Sequence, residues 1–321
     1  MRSFKHTLLS LVLVFVLSSF AYAGPDYFIL KGDLHCHSDF SHDSDVPIEQ
    51  VVRESGIAGY DFIAVTDHNT VRHMMQDHST DEVLVIAGYE HTTQAAHINI
   101  FGLRQIPRRS AIYTLEEMEE YLEPLRARGA IIQLDHPNDK LYYSRFGYDL
   151  EFNFIEILNG VWREDDHQTL LDWQDLLVAG RKIVATAGSD AHRNHTVRRA
   201  FNNVYVTERT EEAILEALLA GRNFVTVSPD GPVVSMVCDD VVMGGTVEYH
   251  PDQQMQIEIS QVQPGTILRL YTNYGLHLED VHPGGSYKVT VDTRLIDFCR
   301  VELWGEEQAI LAYSNPIFIE H

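Results

Sequence analysis

Cysteine is scarce in this 321-residue chain: Cys36, Cys238 and Cys299 are all it has. Cys238 and Cys299 fall in the same C-terminal region and could pair, although sequence alone cannot establish the distance that a disulfide requires. Basic residues are also few, 24 Lys and Arg against 47 Asp and Glu, for a formal net charge of -23. A surface this acidic repels nucleic acid and anionic membranes, so neither is an expected partner; otherwise the charge serves solubility. Long apolar runs are missing as well. The stretch from Leu8 to Leu17 is shorter than the ~20 residues needed to span a bilayer. With Arg2 and Lys5 before it and the small-x-small pattern Ala21, Tyr22, Ala23 after it, residues 1–23 are expected to be an export signal cleaved after Ala23. The expected destination is the periplasm or the exterior, with no stable membrane insertion after cleavage. Removing two basic groups and no acids moves the charge from -23 to -25.

What the chain does hold is imidazole. Seven histidines, one glutamate and one aspartate stand near the ends of expected strands, in the order His35, His37, His42, His68, Glu90, His97, His136, Asp190, His192. In a strand, residues i and i+2 share a face, so His35 and His37 at the end of a run from Tyr27 can grip one metal ion. Cys36 between them points the other way, which argues against a thiolate ligand. Asp190 and His192 repeat the spacing after the apolar run from Lys182. Nitrogen and carboxylate donors gathered in this way suit zinc, manganese or iron. Divalent ions so held lower the pKa of a bound water toward neutrality, which is hydrolase chemistry. A carboxylate can bridge two ions where imidazole cannot, and Glu90 is the expected bridge.

Strand-like and helix-like segments alternate up to about residue 230, as in α/β organisation. Helices are expected from Pro47 to Ser55, with Gly56 just past the end, and from Thr114 to Arg128, with Thr114 and Glu117 as a capping box. Further helices are expected from Gln168 to Ala179 and from Thr210 to Ala220. Strands are expected at Asp61–Thr66, Val83–Ala87, His97–Phe101, Ala130–Asp135, Phe152–Leu158 and Lys182–Ala187. After the break at Pro229 to Pro232, short alternating runs at Gln256–Ser260, Ile267–Thr272, Tyr287–Val291 and Arg300–Trp304 argue for a small antiparallel β domain, most simply a sandwich. The division is then 1–23 export signal, 24–231 catalytic domain and 232–321 β domain. His250, His277 and His282 are scattered in the last part and are expected to face solvent.

These marks resemble the PHP (polymerase and histidinol phosphatase) superfamily. The resemblance is carried by Asp33-Leu34-His35-Cys36-His37-Ser38, Asp67-His68-Asn69, Gly88-Tyr89-Glu90, Asp135-His136-Pro137 and Gly188-Ser189-Asp190-Ala191-His192, in the family's order over roughly residues 28 to 230. It implies an α/β fold, a distorted (β/α)7 barrel, with two or three divalent ions in a cleft at the C-terminal ends of the strands. It also implies His35, His37, Glu90, His136 and Asp190 around paired ions, with His42, His68, His97 and His192 completing a third site or the edges. Many members carry an acid where this chain has His42; His42 is the chosen ligand and Asp43 the alternative. Glu90, Asp190 and His192 are the expected catalytic residues. Asp67 and Asp135 directly precede ligand histidines and are candidates to orient them. Asn69, Asn138, Arg145, Arg163, Arg193 and His195 are candidates for substrate contact. The implied activity is a phosphoesterase acting on a small-molecule phosphate ester through metal-activated hydroxide. A metallohydrolase of a carbamate, ester or amide, and a noncatalytic metal- or ligand-binding module, stay open as alternatives.

Overall fold

The computed structural model describes residues 26–109, 111–196, 198–306 and 309–321. The expected export segment, residues 1–23, lies outside them. Among the described residues no helix is long and apolar enough to cross a membrane.

Seven strands follow one another around a curved sheet in chain order: β1 (Phe28–Cys36), β2 (Phe62–Val65), β3 (Leu84–Thr92), β4 (His97–Phe101), β5 (Ile131–Leu134), β6 (Phe154–Asn159) and β7 (Val184–Gly188). The fold is α/β, and the expected distortion has two visible sources. First, β4 runs antiparallel to both β3 and β5, while the other neighbours in this series are parallel. Second, β1 and β7 meet through a single parallel bridge, Cys36 to Ala191, in which His37 N–H donates to Ala191 O at 3.0 Å and Asp190 N–H to His35 O at 2.8 Å. The reversal of β4 explains why His97, the first residue of its strand, shares a rim with residues that end theirs: it pairs with Thr92.

Every residue of β2, β5 and β6 is buried. Continuous apolar runs are what strands covered on both faces require. The covering helices are α1 (Ile48–Ala58), α2 (Leu115–Arg126), α3 (Glu164–Val178) and α4 (Glu211–Leu219). Helix α1 runs through Gly56 and stops at Gly59, whose φ of 98° is the left-handed C-terminal cap that glycine takes at least cost. Helix α2 carries the expected reciprocal cap between Thr114 and Glu117, and α4 is capped by Thr210.

Two strands, β8 (Phe201–Val206) and β9 (Asn223–Thr226), extend the sheet antiparallel from β1. The C-terminal part adds β10 (Val233–Cys238), β11 (Val241–Val242), β12 (Thr246–Glu248), β13 (Gln254–Val262), β14 (Ile267–Thr272), β15 (Gly275–Val281), β16 (Gly285–Asp292), β17 (Phe298–Trp304), β18 (Ile310–Ser314) and β19 (Ile317–Glu320). One sheet has the order β11-β10-β13-β16; the other holds β12, β19, β17 and β18, with β14 and β15 on its side. They share a core that includes Met236, Ile257 and Ile259 on one side and Leu268, Leu270, Val301 and Leu303 on the other. The pairing is antiparallel except for β12 with β19, which run parallel. Because β18 pairs with β9, the second sheet is continuous with the sheet that bears the histidines.

The C-terminal part answers one open question and corrects one expectation. Cys238 and Cys299 are free, buried thiols within the shared core rather than a disulfide. His282 is fully buried, against a side of the sheet where Tyr287 packs edge-on to its ring, while His277 is exposed and His250 largely so.

Candidate metal centre

The rim where β4 begins and the other six strands end gathers the donors from distant parts of the chain. Around Glu90, a fully buried carboxylate near the end of β3, Oε2 lies 3.2 Å from His35 Nε2, 3.4 Å from His37 Nε2 and 2.9 Å from His68 Nδ1, and Oε1 lies 2.7 Å from His97 Nδ1. Asp190 Oδ1 lies 3.1 Å from His37 Nε2 and 3.5 Å from His35 Nε2. Four sets of three donor atoms each lie within 4.8 Å of one another: His35, His37 and Asp190; Glu90, His97 and His136; His35, Glu90 and Asp135; and His37, His68 and His192. The sets share members, so they form one basin with Glu90 inside it.

His42 is not among them. Its imidazole is 74% exposed, whereas the neighbouring Asp43 directs Oδ2 to 3.2 Å from His68 Nε2 and 3.3 Å from His192 Nε2. The turn that follows β1 therefore aims the acid of the pair into the cluster, while His42, its ring centroid 5.2 Å from that of His68, stays on the exposed edge. Asp67 does not orient His68 either: its carboxylate accepts from Ser38 N–H and Oγ–H, each at 2.6 Å, and pairs with His73 Nδ1 at 3.1 Å. Asp135, expected to orient His136, instead faces His35 and Glu90.

Sequence reasoning missed Glu156. This fully buried residue of β6 accepts the Nδ1–H of His35 at 2.9 Å, the His136 N–H at 3.0 Å and the Asn159 Nδ2–H at 3.1 Å. A carboxylate on one ring nitrogen orients the ring and aims His35 Nε2 at Glu90 and Asp190. The available signal was a lone acid inside the apolar run Phe154-Ile155-Glu156-Ile157-Leu158. Asp33 is a second such residue; its Oδ1 accepts from His35 N–H at 3.0 Å and Ser189 N–H at 2.9 Å, tying β1 to the end of β7.

Three non-glycine residues of this rim have left-handed backbone: Asn69 (φ 53°), His136 (φ 27°) and Asp190 (φ 50°). Such conformations cost energy and concentrate at functional sites. Charge is equally concentrated. Burial pushes the Glu90 carboxyl up, but His35 and His97 outweigh it and hold the group well below the usual carboxylate range. Asp190 is likewise held far down against burial by His35 and His37. Burial drives His37 down to about 4 despite Asp190 and Glu90, so it is a neutral donor near pH 7.

The donor set fits divalent cations. It is all nitrogen and oxygen, and the buried Nδ1 atoms of His37 and His136 and Oδ2 of Asp135 have no hydrogen-bond partner among the described residues. Buried polar atoms left in that state are costly unless something else satisfies them.

The substrate candidates separate. Arg145 lies in the wall of a pocket beside His97. Asn138 is committed to the scaffold, donating to Tyr148, Thr169 and Asp172, and Arg163 caps α3 beside Asp165. His195 is buried, Arg193 is exposed, and Asn69 donates to Thr92 O.

The model of the PHP domain matches residues 33–172, and that of the PHP-associated segment matches residues 177–223. An uncharacterised protein of Methanocaldococcus jannaschii is 26% identical over 152 residues, which is 42% of this chain and 85% of that protein. Among solved structures, a two-domain protein from Bacteroides vulgatus containing a predicted PHP-like metal-dependent phosphoesterase is 18% identical. The match covers 94% of this chain and 99% of that one, with a TM-score of 0.48. An amidohydrolase from Chromobacterium violaceum with bound sulfate is 14% identical over 50% of this chain and 87% of its own, with a TM-score of 0.32.

Proposed function

Residues 33–172 of this chain belong to the PHP family and residues 177–223 to its associated segment, and from that premise we propose that the protein is a metal-dependent hydrolase whose substrate is a phosphate ester. The observation that carries the proposal is the position of Glu90, whose two oxygens reach His35, His37, His68 and His97 at 3.4 Å or less. One carboxylate facing donors on both sides suits a site for two or three divalent ions. His35, His37, Glu90 and Asp190 would hold one, Glu90, His97 and His136 a second, and Asp43, His68 and His192 a third. Bound cations supply positive charge for the nonbridging oxygens of a phosphoryl group and acidify a water for attack.

The chain's own residues prepare that site in three ways. Glu156 and Asp33 lock His35 from its ring and its backbone, so the donor is oriented before any substrate arrives. Asn159 links Glu156 to Asp190, with Nδ2 3.1 Å and 3.4 Å from their carboxylates. Asp190 and His192 are partly exposed and face the solvent side of the basin, open to an incoming ester. Manganese, zinc and iron all suit these donors.

The test is a panel of phosphomonoesters, phosphodiesters and carbamates with the mature protein, before and after chelation and after metal is restored. Turnover of a phosphate ester that chelator abolishes and metal restores is expected. Turnover that survives chelation, or turnover of carbamates alone, would overturn the proposal.

A further inference from the structure

Beside the basin lies a pocket of about 420 Å³ lined by Thr92, Thr93 and Gln94 of the β3–β4 turn, by His97, and across from them by Leu141, Tyr142 and Tyr143. This size falls in the range of small-molecule sites. The far wall is unusual in what it exposes: Leu141, Tyr142 and Tyr143 are three consecutive large side chains that are 78%, 56% and 51% accessible. Scattered apolar surface residues are ordinary, but a contiguous patch marks a binding surface. The patch is also held in place. Asp139 Oδ1 accepts from the N–H groups of Leu141 and Tyr142 at 2.7 and 2.9 Å, and Arg145 N–H donates to Ala95 O at 2.7 Å, fastening the segment to the opposite turn. The Tyr142 ring centroid sits 5.2 Å from that of His97, whose Nδ1 meets Glu90. A flat wall therefore begins one ring away from the donor cluster.

We propose that this pocket receives the leaving group of the substrate, and that the leaving group is a planar aromatic or heteroaromatic alcohol stacked against Tyr142. The assignment rests on the phosphoesterase reading and adds the class of ester. With a phosphoryl group held at the basin and its ester oxygen turned toward His97, the group attached to that oxygen would lie between the β3–β4 turn and the tyrosines. Aliphatic leaving groups gain little from such a wall, because ring stacking adds to the area buried only when both partners are planar.

Equilibrium binding of two non-hydrolysable probes tests this in the manganese-reconstituted protein. Phenylphosphonate and methylphosphonate share the anionic head and differ in the group beyond it. Calorimetric titration is expected to show phenylphosphonate bound roughly tenfold more tightly. The ratio is expected to fall to within about twofold in Tyr142→Ala and to be kept in Tyr142→Phe, which retains the ring. Equal affinities in the unaltered protein, or a ratio unmoved by Tyr142→Ala, would overturn the pocket assignment and leave the phosphoesterase reading standing. If neither phosphonate bound, the phosphoesterase reading itself would fall, and this assignment with it.

Discussion

Gly188 of β7 packs directly against His35 of β1, and replacing it tests the geometry of the basin. An alanine methyl there would sit 2.2 Å from His35 Cβ and 2.3 Å from Glu156 Oε1, where ordinary contact is 3.4–4 Å. Both neighbours are fully buried and hydrogen-bonded to each other, so neither can swing away freely. Both must move by about 1 Å relative to β7, in a core that is already close-packed. Overpacking of this kind costs about 1–3 kcal/mol, and each kcal/mol lowers the melting temperature by roughly 2–4 °C in a domain of 150–250 residues. Disturbing the partner of a metal-binding histidine costs about 10- to 100-fold in metal affinity. Gly188→Ala is therefore expected to melt lower and to bind zinc or manganese at least tenfold more weakly by calorimetry. Gly180→Ala is the control: nothing lies within 4 Å of its added methyl, but its φ of 83° makes alanine strained, so it should lose stability and keep its metal affinity. A Gly188→Ala protein with unaltered affinity would refute the placement of His35 and Glu156 against β7.

Glu156→Gln keeps the volume but removes the charge that orients His35, and should lower metal affinity about 10- to 100-fold with the fold intact by circular dichroism; unchanged affinity would count against the orienting role. Arg300 is buried between the rings of Trp173 and Tyr271, paired with Glu302 at 2.7 Å and hydrogen-bonded to Gln174 of α3. Arg300→Ala strands Glu302 and should cost about 3–5 kcal/mol in denaturant unfolding, much of it recovered when Glu302→Leu is added; a loss below 1 kcal/mol, on the order of an exposed pair, would show that this network is not sealed from water. Burial holds His195 down to about 4, against 6.5 in the unfolded chain, with Glu54 pulling the other way. Between those values the unfolded chain carries a proton that the folded one lacks. The histidine's contribution is thus complete above pH 6.5 and is lost as pH falls toward 4, with a slope of at most about 1.4 kcal/mol per pH unit. Thermal unfolding of chelated protein should show a shallower decline over this window in His195→Gln, and an identical decline would contradict the argument.

Local periodicity accounts for what could be read from the chain alone. The i, i+2 pairs His35/His37 and Asp190/His192 need only the strand to be recognised, and the cap at Thr114 needs only four residues. Glu90 and His136 follow from apolar runs that end in polar groups. His97 was legible as a strand's first residue, but only the reversal of β4 explains why a first residue shares the rim with last ones. The choice between His42 and Asp43 was beyond reach because a turn has no period: adjacent residues there point in unrelated directions. Glu156 was hidden for another reason. In a strand buried on both faces, no alternation tells which residues face the basin, so an acid among apolar neighbours looks like an exception rather than a partner. The pairing of β18 with β9 joins segments almost ninety positions apart and leaves no local trace, and neither does the burial of His282.

On the reading proposed above, His35, His37, His68, Glu90, His136 and Asp190 enclose several cations in one basin. Elemental analysis of the protein, purified without chelator and again after reconstitution and desalting, is the direct test. At least two divalent ions per chain are expected, and fewer than one equivalent after reconstitution would contradict the account.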